Sequence, residues 1–130
     1  MNSMKWCYRY PMFVPVLLFA LVAPSQDATK PDTAKGAYLF HACQAAVREA
    51  DHPRSGSSDV IDVTICLSYI EGFMDGGDAT GRGLCSSAPY ATDARVYVTY
   101  MEKHPKLMNM DKRVGLLLAI GDAYPCPAKQ

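Results

Sequence analysis

Four cysteines, Cys43, Cys66, Cys85 and Cys126, are spread through the last two thirds of this 130-residue chain, and a fifth, Cys7, stands apart near its start. No two of the four are close enough to form a zinc knuckle. An even set in an exported chain reads as two disulfides, and two cross-links confine a short chain to few arrangements. Whether the chain is exported is therefore the first question. Residues 1–25, MNSMKWCYRYPMFVPVLLFALVAPS, place Lys5 and Arg9 before an apolar run over 11–23, and Ala23-Pro-Ser25 follows as a small-x-small cleavage signal. This is the pattern of a secretory signal peptide. A membrane-spanning helix needs about 20 apolar residues, so the run is short for an anchor. Cleavage there removes Cys7 and leaves the even set. It also removes Lys5 and Arg9, so 11 basic residues face 13 acidic ones and the net charge is −2. That balance gives no reason to expect a nucleic-acid or anionic-membrane partner.

The expected organisation is a signal peptide over 1–25, a polar arm over 26–32 and one helical domain over 33–130. The first helix is expected over 33–50, capped by Asp32, with Ala37, Phe40, Cys43 and Val47 inward. A turn-rich loop, DHPRSGSS, fills 51–58. The second helix starts near Asp59 and turns Val63, Cys66, Leu67, Ile70, Phe73 and Met74 to the core. Gly76 and Gly77 are expected to end it, since glycine readily supplies the backbone angles of a helix C-terminus. The third helix starts near Thr92, with Asp93 behind it, and turns Ala94, Tyr97, Val98 and Met101 inward. It stops at His104-Pro105. The fourth starts near Asn109, with Val114, Leu117, Leu118, Gly121 and Tyr124 as its inner stripe, and Pro125 stops it. The fold class is all-α, a compact four-helix domain with two disulfides. Tyr69, Tyr97 and Tyr124 are read as half-buried helix residues with wet hydroxyls.

This layout selects among the three ways of pairing four cysteines. Cys43 lies seven residues before the end of helix one and Cys66 seven residues into helix two. In an antiparallel hairpin they stand at one height on the apolar face. Cys85 precedes helix three and Cys126 follows helix four, so antiparallel packing brings them to one end. The expected pairs are Cys43–Cys66 and Cys85–Cys126, each contributing about 3–4 kcal/mol on a chain-entropy account.

One stretch, CLSYIEGFMDGGD over 66–78, invites a chemical reading. Glu71, Asp75 and Asp78 share one helix face. Paired carboxylates can serve glycoside cleavage or calcium binding. DGGDATG, however, supplies too few oxygens for a calcium loop, and a four-helix domain of this size has little room for a substrate cleft. GGDATGRG follows a helix and lacks the Gly-Lys-Ser/Thr ending of a phosphate loop. No Gly-x-Ser-x-Gly, His-Glu-x-x-His or Cys-x-x-Cys occurs. No catalytic residue, metal or cofactor is assigned. The acidic face reads as solvated helix surface that a cationic partner would also suit, and Gly72 as a notch for a neighbouring helix.

Taken in order, a cysteine in helix one, Cys-Leu-Ser-Tyr-Ile-Glu-Gly over 66–72 with Asp75, Cys85, Tyr-x-x-x-His-Pro from Tyr100 to Pro105, and Ala-Tyr-Pro-Cys over 123–126 resemble the Rap/Tai-type immunity proteins of bacterial type VI secretion. The resemblance covers about residues 36–126. It departs at Cys85-Ser-Ser-Ala-Pro89, where the family more often has Cys-x-Pro, so helix three can start a couple of residues away from Thr92. The segment DHPRSGSSDV is also particular to this chain. The resemblance implies an all-helical periplasmic protein that binds and occludes a cell-wall-degrading effector, typically a peptidoglycan amidase, without catalysis. It also implies a homodimer. The matching residues (Cys66, Tyr69, Ile70, Gly72, Cys85, Pro105, Pro125, Cys126) are scaffold, so contact residues do not carry over. The candidate contact edge is the acidic helix end and glycine loop: Glu71, Asp75, Asp78 and Arg82. Two rival readings are a small periplasmic stress chaperone or binding module, and a small exported hydrolase using Glu71 and Asp75.

Overall fold

The computed structural model describes residues 31–53, 59–79 and 84–127. The expected signal peptide and most of the arm lie outside the described residues. The described chain is four helices: α1 (Gly36–Asp51), α2 (Val60–Ala79), α3 (Tyr90–Lys103) and α4 (Lys112–Ala123), with a short 3-10 helix at Pro105–Asn109 between the last two. No strand occurs among the described residues, and the all-α reading holds. α1 is central and packs against the other three helices and the 3-10 helix.

That position explains why α1 buries more than a narrow stripe. Leu39, Ala42, Cys43, Ala45 and Ala46 are buried, and Phe40 and Val47 pack half-buried at the margin. Ala37, expected inside, is exposed. Small side chains let three helices approach α1 at once. Its start also differs from expectation. Asp32 does not cap α1: its side chain accepts from the Ala34 N–H at 3.1 Å in a preceding turn. Lys35 then stays extended because it bridges to Asp111, and the Gly36 N–H donates to the Met110 carbonyl at 2.8 Å. A side chain at Gly36 would meet the Leu107 carbonyl oxygen at 2.5 Å, so glycine is required for this crossing.

In α2, Cys66, Ile70 and Met74 are buried, with Val63, Leu67 and Phe73 half-buried beside them, as the periodicity predicts. The expected stop at Gly76-Gly77 does not occur, since α2 runs on to Ala79. Interior glycine costs a helix about 1 kcal/mol relative to alanine. At Gly77 packing offsets this, because Leu84 lies where a Cβ would stand, its Cδ1 at 2.6 Å. Gly72 is not the notch: no atom lies within 4 Å of its Cβ position.

α3 begins two residues before Thr92, with Pro89 as its N-cap. Ala94, Tyr97, Val98 and Met101 are all buried. Tyr97 is fully buried, not half-wet, and its hydroxyl donates to the Gly36 carbonyl at 3.2 Å. Burial pushes that hydroxyl's pKa well above its ordinary value. The helix ends at His104 as read. Pro105 has no N–H to give the Met101 carbonyl, so the His104 N–H turns to it, at 3.1 Å. The Tyr100 carbonyl is then taken by His104 Nδ1 at 2.8 Å, and the two rings stack 4.1 Å apart. The Tyr-x-x-x-His-Pro string is thus a helix-stop device.

α4 starts at Lys112 under an Asp111 cap, whose carboxylate accepts from the Arg113 N–H at 2.9 Å, and not near Asn109. Its expected stripe faces the wrong way. Gly115, Leu116, Ala119 and Ile120 are buried, while Leu117, Leu118 and Gly121 are exposed. Gly115 is what turns the helix this way, since the Met101 sulfur lies 2.8 Å from its Cβ position and the Tyr97 ring 3.3 Å.

Both disulfides form as expected. Cys43–Cys66 joins α1 to α2 with Cα atoms 4.9 Å apart, and Cys85–Cys126 joins the segment before α3 to the tail after α4 with Cα atoms 5.2 Å apart.

Candidate functional site

Glu71 and Asp75 project from the exposed side of α2. The side chain of Asp78 and all of Arg82 lie outside the described residues. Asp75 does reach a small pocket of about 380 Å³ at the junction of α2 and α3, lined also by Met74, Ser86, Ser87, Pro89 and Asp93. Asp93 is the one buried charged side chain among the described residues, 1% exposed. Ser86 Oγ donates to its Oδ1 at 2.8 Å. Burial raises the Asp93 pKa against the lowering effect of Ser86 and Tyr124. The pocket therefore pairs an exposed carboxylate with a sealed one.

A larger cleft of about 590 Å³ opens between α2 and α4. Gly72, Phe73, Gly76 and Gly77 form one wall and Val114 and Leu117 the other, with Leu84 between. It exists because α1 separates α2 from α4 and because the glycines leave α2's wall bare. Its charged end is the Asp111–Arg113 pair, 2.8 Å apart. Arg113 lowers the Asp111 pKa to about 2, through side-chain and backbone hydrogen bonds. Nearby, the Lys112 ammonium lies 4.4 Å from the centre of the Tyr69 ring. Glu71 and Asp75 each lie one residue, about 100° round the helix, from Gly72 and Gly76. The candidate acidic edge and the apolar cleft are thus different faces of one helix.

The exposed face of α4 continues from the cleft. Leu117 is 49% and Leu118 44% exposed, and Met110 just before the helix is 45% exposed. Periodicity alone could not reveal this surface, because α4 is apolar nearly all round. A signal was present in that very excess, since a short surface helix normally shows one polar side. Asp93 was read only as part of a helix start. Its hydrogen-bond partner, Ser86, comes from 7 residues upstream, outside the helix, which local pattern does not connect.

No group of three or more His, Cys, Asp or Glu among the described residues could hold a metal ion. No described helix is long and apolar enough to cross a membrane. The surface offers an apolar cleft, an apolar helix face and an acidic edge, which are features that bind other macromolecules. No curated protein and no solved structure matches the chain. A family profile, that of the Rap1a immunity proteins, matches residues 35–126. That span takes in all four helices and both disulfides, and the chain belongs to the Rap1a immunity protein family.

Proposed function

We propose that this protein is a periplasmic immunity protein that binds a type VI secretion effector with peptidoglycan amidase activity and occludes its active-site groove. The family match over residues 35–126 carries the reading. The two disulfides support an oxidising compartment. The apolar run over 11–23, behind Lys5 and Arg9, supports export by a cleaved signal peptide. Inhibition is by binding, without catalysis. The protein acts as a homodimer, for which the outward leucines of α4 are the fitting surface. Glu71, Asp75, Asp78 and Arg82 form the edge that meets the effector.

The test is co-expression with a type VI secretion effector of peptidoglycan amidase activity, with that effector directed to the periplasm. Protection from lysis is expected, and it should vanish when residues 1–25 are deleted. Lysis unchanged by the full chain would overturn the reading. Reversing the charges of Asp75 and Asp78 should weaken the purified complex, and unchanged affinity would remove the acidic edge from it.

A further inference from the structure

Glycine inside a helix needs a reason, since each costs about 1 kcal/mol relative to alanine. At Gly77 and Gly115 the reason is a neighbour that a Cβ would strike. At Gly72 and Gly76 there is none, because nothing lies within 4 Å of either Cβ position. Both line the cleft of about 590 Å³ between α2 and α4, a volume in the range of binding clefts. The two glycines leave its α2 wall bare, while Phe73, Leu84, Val114 and Leu117 supply apolar contact. The charges around the cleft differ in what already holds them. Arg113 gives Nε and Nη2 to the Asp111 carboxylate at 2.9 and 2.8 Å. The Lys112 ammonium donates to the Thr33 carbonyl and lies over the Tyr69 ring. Glu71 and Asp75, in contrast, are exposed and form no ion pair among the described residues. Asp75 lies three residues from Gly72, about 60° round the helix, so the acidic row borders the glycine wall. The cations beside the cleft are engaged, and the carboxylates on its outer rim are left for a partner.

We propose that this cleft docks a basic amphipathic segment of the effector, with apolar side chains seated on the wall formed by Gly72 and Gly76 and a lysine or arginine paired with Glu71 and Asp75. The identity of the partner rests on the function proposed above for the protein, and the chemistry of the segment rests on the cleft. An amphipathic helix lays apolar side chains into such a groove at three- and four-residue spacing. Basic residues beside those anchors meet a rim whose negative charge nothing in the described chain neutralises, whereas acidic ones are repelled by it. The anchors, held in a desolvated cleft, supply most of the affinity, and the rim selects the sign of their neighbours. The acidic edge and the apolar cleft, two adjoining faces of α2, then act as one site.

The experiment titrates the purified, oxidised protein, isotope-labelled for amide NMR, with a synthetic amphipathic peptide that carries leucines at helical spacing beside lysines. The amide signals of Gly72, Gly76, Val114 and Leu117 should shift saturably. A twin peptide with glutamate in place of lysine should bind at least about ten-fold more weakly. Gly76→Leu fills the cleft with the protein's own side chain at a position that has open space, so it should fold and bind the lysine peptide at least about ten-fold more weakly. Glu71→Lys with Asp75→Lys leaves the cleft open and should reverse the preference between the twins. Gly76→Leu should also lose affinity for the effector against which the wild type protects. Absence of protection by the wild type would strike the effector as partner, and the peptide titration would still decide the cleft. Equal binding of the twins, unchanged binding by Gly76→Leu, or shifts confined to other faces would overturn the proposal. So would a dimer that dissociates in Gly76→Leu, since a second copy would then be the occupant.

Discussion

A methyl group added to glycine meets different surroundings at different places in this chain. At Gly72 it meets open space inside a helix. Gly72→Ala should therefore stabilise the protein by about 0.4–1 kcal/mol, by reducing the freedom of the unfolded chain, as read from urea denaturation. At Gly36 the same methyl meets the Leu107 carbonyl oxygen at 2.5 Å, and backbone cannot swing aside. Gly36→Ala should cost about 1–3 kcal/mol in the same experiment. A third residue sets a pH response. Arg113 holds the Asp111 pKa down to about 2 from an ordinary 3.8. Because the folded value is the lower one, the charged carboxylate adds stability above pH 3.8, and this is lost as the pH falls towards 2. The wild type should accordingly melt above Asp111→Asn at pH 5, with the gap closing by pH 2. A gap independent of pH would show that the carboxylate's charge contributes nothing.

Helices were legible to different degrees, for reasons that lie in their composition. α3 carries Thr92, Asp93, Arg95, Thr99 and Glu102 around one apolar stripe, so periodicity has a single solution and all four predicted core residues are buried. α4, KRVGLLLAIGDA, offers two apolar stripes a fraction of a turn apart. The core takes the one containing Gly115 and Ala119, because Met101 and Tyr97 need the space beside them. Bulk alone favoured the other stripe, and bulk is what a sequence scan weighs. α2 misled in a similar way at Gly76-Gly77, where the deciding group, Leu84, comes from a later segment. The disulfides were legible because helix direction and cysteine height are both local readings. Asp93 was not, because its burial and its bond to Ser86 depend on the segment that precedes the helix. The outward α4 stripe leads to a prediction at this scale. Leu117→Asp with Leu118→Asp should leave the melting temperature nearly unchanged, since both side chains are exposed. Sedimentation should then report a monomer. A dimer that survives the change would place the interface elsewhere.

For the molecule as a whole, α1 is the element every other helix leans on, and the disulfides join residues 23 and 41 apart in sequence. On a chain-entropy account each is worth about 3–4 kcal/mol, a large share of what holds a domain of this size. Three contacts near the start of the described chain bear on what can be cut away. The Lys112 N–H donates to the Ala34 carbonyl at 2.9 Å and the Gly36 N–H to the Met110 carbonyl at 2.8 Å, which together pair Lys35 with Asp111, and the Lys112 ammonium donates to the Thr33 carbonyl at 2.9 Å. Residues 32–35 therefore act as a strap that fastens the first helix to the beginning of the last. Trimming is set to be harmless up to that strap and harmful within it. In a series of N-terminal truncations, a chain beginning at 31 should melt like one beginning at 26, and one beginning at 36 should melt several degrees lower. A cut that leaves the fold fastened has to stop short of Asp32, so the strap itself limits how far the chain can be trimmed from its N-terminal side.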